Sequence, residues 1–552
     1  MTATARTHRP RDTSADGWGN RLQAYALSHF PALWRGVMAV PPLRRLANDK
    51  IVDMAVRRAP ARPMAFGAMT ARADSAASCS AEYTSWEMLT DLGWYKRHLP
   101  QVPLRTAPPL DDVVALFRTD PGGGVLSEDS SVLFMSFAQW FTDGFLMTDA
   151  VDRRRTHSSH QIDLNPLYGL TRAATDAVRL RSEERGRRGR LKVERINGED
   201  FAPRYYDDAG NPRAEFAALR KPLRLDEWRS KAPPDWDEAV KATLFAFAGE
   251  RANSTPYTAM LNTLFLREHN RLAGVIETAH PGWDDERVFQ TARNVTIVLL
   301  IKIVIEEYIN HISPYHFQLT ADPAVCWRKY WNRQNWIPLE FNMLYRWHSL
   351  TPDRFAIAGQ EIPATDLLFN HQPLVQHGLN AMMQAASDQR ARQIGLFNTP
   401  DFLIPVEAST LQQSRDQRLA SYNDYRQAFG YGRVRRFDQI TGDPRRIEAL
   451  QALYGDVDQV EFMVGLFAED ISPRSAVPPL IGRMVALDAF SQALTNPLMA
   501  ECVFKPATFS EPGWQAIQET HRLQDILDRN TPPGTTPPRV MMTLPPAHGL
   551  PH

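Results

Sequence analysis

The stretch LEFNMLYRWHSLTPD, which runs from Leu339 to Asp353, places a tyrosine and a histidine three positions apart, at Tyr345 and His348. On an α-helix, residues three apart lie on the same face, so both side chains would point into one cavity. A histidine there can bind a metal or a haem iron, and a tyrosine beside it can donate a proton or carry a radical. Taken alone, such a pair more often reflects core packing with a satisfied hydrogen bond. The pair therefore does not establish a metal or haem site without support from the rest of the sequence.

The composition is that of a globular protein. Of the 552 residues, 43% are apolar and 23% are charged, and 63 Lys and Arg balance 63 Asp and Glu. Because there is no basic excess, we expect no nucleic-acid partner. The three cysteines, Cys79, Cys326 and Cys502, are far apart and form no CxxC pair. Their spacing argues against a disulfide framework or a structural zinc site and favours a reducing compartment.

Helical patterns dominate the chain, so the predicted fold class is mainly α. Glu286–Ile312 reads as one long helix. Its most apolar run, VTIVLLIKIVI from Val295 to Ile305, is too short to span a bilayer and contains Lys302, so we expect a buried core helix. The clearest strand signal is a hairpin over GRLKVERING, from Gly189 to Gly198.

A basic and apolar stretch near the N-terminus stands apart from the rest. Arg21–Arg62 contains eight Lys and Arg, interleaved with Leu, Tyr, Phe and Trp at helical spacing. This pattern is typical of short helices that lie on an anionic membrane surface. The alternative, ordinary helices packed on the core, is equally compatible with the sequence.

Several long segments resemble the cyclooxygenase branch of the animal haem peroxidase superfamily, which contains prostaglandin synthases, fungal linoleate dioxygenases and plant α-dioxygenases. EFNMLYRWHSL looks like the proximal-helix motif of that branch. The similarity extends over about residues 40–512. The matching segments are YTSWEMLTDLGWYKRHLP (83–100), GRLKVERINGEDFAP (189–203), LFLREHNRLAGVIETAHPGWDDERVFQTARNVTIVLLIKIVIEEYINHISPYHFQL (264–319), ALYGDVDQVEF (452–462) and NPLMAECVFKPATF (496–509).

The resemblance implies roles for the opening pair. His348 matches the proximal histidine, the axial ligand of haem iron, and Tyr345 matches the catalytic tyrosine. In that family the oxidised haem takes an electron from the tyrosine. The tyrosyl radical then removes a hydrogen atom from a fatty-acid methylene, and O2 adds to the carbon radical. Haem b is therefore the expected cofactor, with His348 as its metal ligand.

The resemblance also implies a fatty-acid channel. Trp347, Tyr308 and Ile309 match channel-lining positions, although plain core packing would use the same side chains. Tyr315 matches the tyrosine that, with an arginine, binds the fatty-acid carboxylate at the channel mouth. That arginine should come from the last N-terminal helix. The candidates there are Arg57 and Arg58, and the sequence does not choose between them or exclude a solvated basic face.

The distal side of the expected haem departs from the family pattern. Gln139 is present, but Asp143 occupies the position of the distal histidine. A carboxylate is a poorer match than imidazole for moving a proton between peroxide oxygens at neutral pH, so weak peroxidase activity is expected. Arg251 matches a distal arginine and is expected either to pair with Asp143 or to bind a haem propionate. Met463 stands where prostaglandin synthase has a tyrosine near the axial histidine.

The sequence therefore predicts a large helical haem peroxidase domain of cyclooxygenase type with short N-terminal membrane-surface helices. Its predicted divisions are a disordered tail (1–20), amphipathic membrane-binding helices (21–72), the haem peroxidase and dioxygenase domain (73–530) and a Pro-rich tail (531–552). The expected reaction is insertion of O2 into an unsaturated fatty acid through a tyrosyl radical, giving a hydroperoxide. Two alternatives stay open: a haem peroxidase or hydroperoxide isomerase with little oxygenase activity, and a haem-binding membrane-surface protein without chemistry.

The expected partners are an unsaturated fatty acid, O2, a membrane surface and a second copy of the chain in a homodimer. The first twenty residues contain no apolar h-region of the kind found in secretory signals. We therefore expect a cytoplasmic location, peripheral on the inner membrane face.

Overall fold

The computed structural model of the chain describes residues 12–57, 90–220 and 241–545. Most of its regular structure is helical, as the sequence predicts. The α-helices are α1 (Trp18–Ser28), α2 (Pro31–Ala39), α3 (Pro41–Val56), α4 (Leu110–Ala115), α5 (Val132–Asp143), α6 (Asn165–Tyr168), α7 (Arg172–Val178), α8 (Pro256–Ala279), α9 (Asp285–Ile303), α10 (Asn310–Ile312), α11 (Leu339–Leu344), α12 (Gln372–Asp388), α13 (Ile404–Asp416), α14 (Tyr422–Ala428), α15 (Pro444–Tyr454), α16 (Phe462–Ala468), α17 (Pro479–Leu494), α18 (Pro506–Phe509), α19 (Glu511–Glu519) and α20 (Leu523–Asn530).

Six short strands form three antiparallel pairs in the described chain. They are β1 (Leu126–Ser131), β2 (Glu194–Ile196), β3 (Glu199–Phe201), β4 (Arg354–Ile357), β5 (Gln360–Pro363) and β6 (Arg390–Arg392). The hairpin β2–β3 turns through Asn197 and Gly198, both with positive φ. A hairpin is therefore present, but it spans Glu194–Phe201 and lies further along the chain than the predicted Gly189–Gly198. β1 pairs with β6 and leads directly into α5, whose first turn is capped when the Phe134 amide donates to Ser131 Oγ at 3.2 Å.

Helix α8 lies at the centre of the fold and packs against α5, α9 and α12. Asp285–Ile312 is long and apolar enough to cross a membrane by length and composition, and it alone among the described helices meets that test. However, 83% of its most apolar window is buried inside the protein. The prediction of a buried core helix over this run is therefore confirmed.

The long helix changes its geometry before it ends. Val304–Ile309 forms a π-helical segment between α9 and α10. The predicted helix over Glu286–Ile312 is thus present, but with a wider turn near its end. Such π segments are uncommon and occur frequently at functional sites. This one carries Tyr308 and Ile309, whose side chains are fully buried.

The N-terminal helices form a layer on the body of the protein. Asn48 on α3 exchanges hydrogen bonds with the backbone of Thr320, at 3.0 and 3.1 Å. Trp34 on α2 meets Phe317 edge-on, with ring centroids 5.8 Å apart. Residues 12–20, which the sequence assigned to a disordered tail, form a 3₁₀ turn and the first turn of α1, because Asp16 is buried against Arg426. Residues 58–72 of the predicted membrane-binding segment lie outside the described residues.

The described part of the predicted C-terminal tail, residues 531–545, has no helix but packs onto the body. The Ser131 amide donates to the Met542 carbonyl at 3.0 Å, and the Thr543 hydroxyl is 2.7 Å from His311 Nδ1. This segment therefore holds the start of α5 in place.

A buried ion pair joins the N-terminal segment to the helical body. Arg426 on α14 lies 3.1 Å from Glu469, and both side chains are fully buried. The other guanidinium nitrogen of Arg426 donates to Asp16 at 2.6 Å. Removing one partner of a buried pair leaves the other charge without compensation, which costs far more than the pair itself contributes.

We predict that Arg426→Met lowers the free energy of unfolding by about 3–5 kcal/mol, because Glu469 would keep its charge in the interior. Urea denaturation measures this loss. The matched control is Arg433→Met, since Arg433 pairs with Asp424 and Asp458 while 37% exposed. That change should cost no more than about 1 kcal/mol. Equal losses in the two variants would show that burial of the pair is not the cause.

Candidate active site

Tyr345 and His348 do not lie on one helix, which corrects the expectation from their spacing. Helix α11 ends at Leu344, and His348–Leu350 forms a separate 3₁₀ turn. The physical reason is the position of Trp347, whose ring lies 4.7 Å from that of Tyr345. Residues two apart on an α-helix point in nearly opposite directions and cannot stack. The helix has to break so that Tyr345 and Trp347 can enter the same cavity.

Tyr345 is buried among aromatic rings. The Phe341 ring lies edge-on at 4.8 Å, and only 8% of Tyr345 is exposed. The hydroxyls of Tyr345 and Tyr308 are close enough to influence each other's pKa. Neither hydroxyl has a partner of good hydrogen-bonding geometry among the described residues. Burial raises the pKa of both phenols above the ordinary value, so each keeps its proton at neutral pH.

Helix α5 and the π-helical segment supply an aromatic wall beside this tyrosine pair. Phe134 stacks on Tyr308 at 5.4 Å and on Trp347 at 6.1 Å. Phe137 and Phe141 approach Tyr308 to 5.3 and 6.0 Å. The structure therefore brings together Tyr308, Tyr345 and Trp347, three of the residues that the sequence singled out.

A charged network that sequence reasoning missed lies behind Tyr345. Lys96 is fully buried and donates to Asn335, and His98 Nε2 lies 2.8 Å from the Asp488 carboxylate. Burial lowers the pKa of Lys96 to about 8, against the opposing charges of Asp488 and Glu340. The charge of Asp488 also contributes to the raised pKa of Tyr345, after burial and against the effect of Tyr308. No local pattern marks these residues, because they come from distant parts of the chain.

His348 is held by a carboxyl group. Its Nδ1 is hydrogen-bonded to Glu407 on α13, whose side chain is 1% exposed. Nε2 makes no hydrogen bond to any described residue, so it is available to a ligand or metal. The backbone of this turn is fixed where the Gly395 amide donates to Ser349 Oγ at 3.2 Å. Glu407 was not among the sequence candidates, because 59 positions separate it from His348.

The distal candidates lie at one end of α5. Gln139 and Asp143 are one turn apart on that helix, as predicted. Arg251 lies 3.4 Å from Asp143 and donates to the Leu146 carbonyl at 2.9 Å. Two partners were expected for Arg251, Asp143 and a haem propionate, and the structure contains the contact with Asp143.

Arg346 connects the two sides of the site. Burial and the nearby charge of Arg251 lower its pKa, whereas Asp143 and Glu407 act in the opposite direction. Its guanidinium also donates to Asn342 at 3.0 Å. The charges of Asp143 on the distal side and of Glu407 beside His348 therefore both act on the pKa of Arg346.

Several buried polar atoms in this region have no hydrogen-bond partner among the described residues. They include Arg346 Nε, Trp347 Nε1 and Glu407 Oε1. Interior polar atoms normally have partners, so the region fits a bound group. The described residues contain no group of three or more His, Cys, Asp or Glu able to hold a metal ion. A metal held by one histidine needs ligands from a cofactor, and the porphyrin of a haem provides them, so the residues present fit haem.

The predicted carboxylate anchor is only partly assembled. Tyr315 is half-buried, and burial raises its pKa while the charge of Arg483 on α17 opposes that rise. The Arg483 guanidinium lies 5.8 Å from the centre of the Tyr431 ring, and its buried Nε has no hydrogen-bond partner in the part of the chain that the structure describes. Arg57 is exposed at the end of α3, and no contact in the described chain joins it to Tyr315. Arg58 lies outside the described residues.

Comparisons with known proteins show the family of the chain. Residues 134–542 match the animal haem peroxidase family. The chain is 33% identical over 470 residues to prostaglandin G/H synthase 1 of Rattus norvegicus, covering 82% of this chain and 73% of that protein. It is 30% identical over 528 residues to prostaglandin G/H synthase 2 of Bos taurus, covering 92% of this chain and 80% of that protein.

Solved structures share the fold at low sequence identity. The fatty acid α-dioxygenase of Oryza sativa superposes with a TM-score of 0.64 at 15% identity, covering 94% of this chain and 96% of that one. Peroxidase A of Dictyostelium discoideum gives a TM-score of 0.59 at 19% identity, covering 81% and 94%. Fold and site thus define a helical haem-dependent oxidoreductase. The chain belongs to the animal haem peroxidase family, in its cyclooxygenase-like branch.

Proposed function

We propose that this protein is a haem b dioxygenase that inserts O2 into an unsaturated fatty acid and releases a fatty-acid hydroperoxide. The observation that carries the proposal is the position of Tyr345, which is buried within an aromatic wall and three residues from a histidine with a free Nε2. The relatives named prostaglandin G/H synthases and the structural neighbours named fatty acid α-dioxygenases support this substrate class.

In this proposal His348 would hold haem iron through Nε2, and the Glu407 hydrogen bond fixes the orientation of the ring. When bound, haem b supplies the one-electron oxidation that turns the Tyr345 phenol into a neutral radical. The raised pKa of Tyr345 means that the phenol loses its electron and proton together rather than ionising first. Burial excludes water, which would otherwise quench the radical.

The hydrogen atoms balance around Tyr345. The radical takes one hydrogen atom from a substrate methylene and becomes a phenol again. O2 adds to the resulting carbon radical, and the peroxyl group takes the hydrogen atom back from Tyr345. The net change is addition of one O2 to one C–H bond, and the radical is regenerated. Phe134, Phe137 and Trp347 offer apolar walls on which a hydrocarbon chain can be positioned.

The peroxidase alternative is the weaker candidate because Asp143 is engaged by Arg251. A carboxylate held by a guanidinium is a poor base for transferring a proton between peroxide oxygens at neutral pH. Hydroperoxide isomerisation, which needs no such transfer, stays an alternative.

We predict that the haem-loaded protein consumes O2 with linoleate, that Tyr345→Phe abolishes this uptake, and that the variant still binds haem. The reason is that Phe has the same shape but no hydrogen atom to exchange. An oxygen electrode measures the uptake, and the Soret band reports the bound haem. A dye-oxidation assay on the same samples tests the alternative. Absent uptake together with strong dye oxidation would refute the dioxygenase proposal, and full uptake by Tyr345→Phe would refute the radical.

We further propose that Arg483, with Tyr315, binds the fatty-acid carboxylate. Arg483 makes no ion pair with any described residue, although it lies beside two half-buried tyrosines, Tyr315 and Tyr431. Helix α17, which carries it, packs against α3, the last described N-terminal helix. A guanidinium with a free N–H is a suitable anchor for the carboxylate of an otherwise apolar chain.

We predict that Arg483→Gln raises KM for linoleate about 10- to 100-fold with little change in kcat, because a charge-assisted hydrogen bond contributes about 1.5–3 kcal/mol. Steady-state oxygen uptake measures both constants. With the methyl ester, which has no carboxylate, the variant and the wild type should be alike. Arg57→Gln is the control and should leave KM unchanged. If Arg57→Gln raises KM and Arg483→Gln does not, the fatty-acid carboxylate is bound by Arg57, one of the two arginines that the sequence suggested.

The described N-terminal helices also support the proposed binding to a membrane surface. α1–α3 expose Leu22, Leu33, Leu43 and Leu46 by 48–59%, while Val52 and Val56 face the interior. The exposed basic side chains Arg21, Arg35, Arg44 and Lys50 accompany the leucines. Apolar residues that face outward beside basic residues are typical of helices that lie in the interface of an anionic bilayer.

We predict that replacing Leu22, Leu33, Leu43 and Leu46 together by Ser weakens liposome binding at least 100-fold, since each half-immersed leucine contributes roughly 1 kcal/mol. Flotation on liposomes with anionic lipids measures the binding. A matched control replaces four apolar residues that are exposed elsewhere, Leu92, Leu104, Val125 and Val151, by Ser. The proposal fails if the control loses as much binding as the test variant.

A further inference from the structure

We propose that the carboxylate of Asp488 binds the hydroperoxyl group of the fatty-acid product by accepting a hydrogen bond from its O–H. This inference rests on the proposed dioxygenase function and deepens it. The aromatic walls described above can position a hydrocarbon chain, whereas Asp488 gives the same region a place for the polar group that the reaction creates.

Asp488 has one occupied and one unoccupied oxygen. The side chain is fully buried on α17, and its Oδ2 accepts a hydrogen bond from His98 Nε2 at 2.8 Å. Its Oδ1 is buried too and has no hydrogen-bond partner among the described residues. Interior polar atoms normally have partners. Because an ionised carboxylate can only accept hydrogen bonds, the missing partner has to be a donor such as an O–H group.

Two observations place this carboxylate beside Tyr345. Helix α17 packs against α11, which ends just before Tyr345, and against the π-helical segment that carries Tyr308. After burial, the charge of Asp488 also contributes to the raised pKa of Tyr345. In the proposed reaction the peroxyl group takes a hydrogen atom back from Tyr345. The new hydroperoxyl group therefore forms near a carboxylate oxygen that lacks a donor.

The surrounding network holds the carboxylate and balances its charge. Lys96 is fully buried, and the charge of Asp488 opposes the effect of burial, which lowers the pKa of Lys96. Lys96 donates to Asn335, whose side-chain amide donates to Ser491 Oγ at 2.5 Å. Ser491 lies three positions after Asp488 on α17, so both side chains are on one face of that helix. Oδ1 thus belongs to a site that is already built and charge-balanced without the ligand.

A charged acceptor in a buried site distinguishes a ligand that can donate a hydrogen bond from one that cannot. The test compares three probes: linoleate, the two hydroxy acids that correspond to O2 addition at either end of its diene, and the matching oxo acids. A hydroxy acid carries the O–H donor of the product but not the reactive O–O bond. An oxo acid has its oxygen on the same carbon and can only accept.

Binding of each probe to the haem-loaded full chain is measured by equilibrium dialysis without O2, so that linoleate is not consumed. We expect the wild type to bind one hydroxy acid about 10-fold more tightly than both linoleate and the matching oxo acid, because only the hydroxy acid makes the charge-assisted hydrogen bond.

Asp488→Asn should reverse this preference. Its amide oxygen can still accept from His98 Nε2, and its NH2 group then takes the place of Oδ1 and offers a donor. The oxo acid should therefore bind at least as tightly as the hydroxy acid. A loss of packing would instead weaken all three probes together. The matched control is Asp366→Asn, which changes an exposed carboxylate and should keep the wild-type order.

Equal binding of hydroxy and oxo acids by the wild type would overturn the inference without any variant, while bound linoleate would still support the proposed function. If none of the three probes binds, both the proposed function and this inference fail. An unchanged order of affinities in Asp488→Asn that retains its Soret band would also overturn the role of Asp488.

Discussion

The site depends on one constraint, the break in helical geometry between Leu344 and His348. Tyr345 and Trp347 are two positions apart, and only a chain that leaves the helix between them can bring both rings to within 4.7 Å. The same break sends His348 into a short 3₁₀ turn, where its ring meets Glu407. A continuous helix would have kept the tyrosine and the histidine on one face but would have turned the tryptophan away.

The elements around this break are arranged to hold it. Helix α5, fixed at its start by β1 and by residues 541–543 of the C-terminal segment, supplies the aromatic wall on one side. The π-helical segment places Tyr308 opposite Tyr345 on another side. Helix α13 provides the carboxyl group that orients His348. Each of these contacts joins residues that are far apart in sequence, so the site exists only when the whole helical body is packed.

Burial of charge is the recurring physical theme of the molecule. Arg426, Lys96 and Glu407 are all buried, and each is stabilised by a specific partner rather than by solvent. Interior charges of this kind contribute little net stability, but they are costly to leave unpaired, and so they restrict which arrangements of helices are allowed. Near Tyr345 the same burial raises the pKa of the phenol, which further disfavours its ionisation.

The sequence by itself determined the mainly helical class, the hairpin, the buried core helix and the family, because these follow from local periodicity and from long segments of similarity. It also singled out Tyr345, His348, Tyr308 and Trp347, which the structure places in one region. The sequence did not identify Glu407, Asp488 or Arg483. Each of them contacts its partner across a large sequence separation, and no local pattern marks such a contact. The break after Leu344 was missed for the same reason. Helical spacing describes a chain in isolation, whereas the packing of Trp347 against Tyr345 is decided only when the aromatic core closes around both.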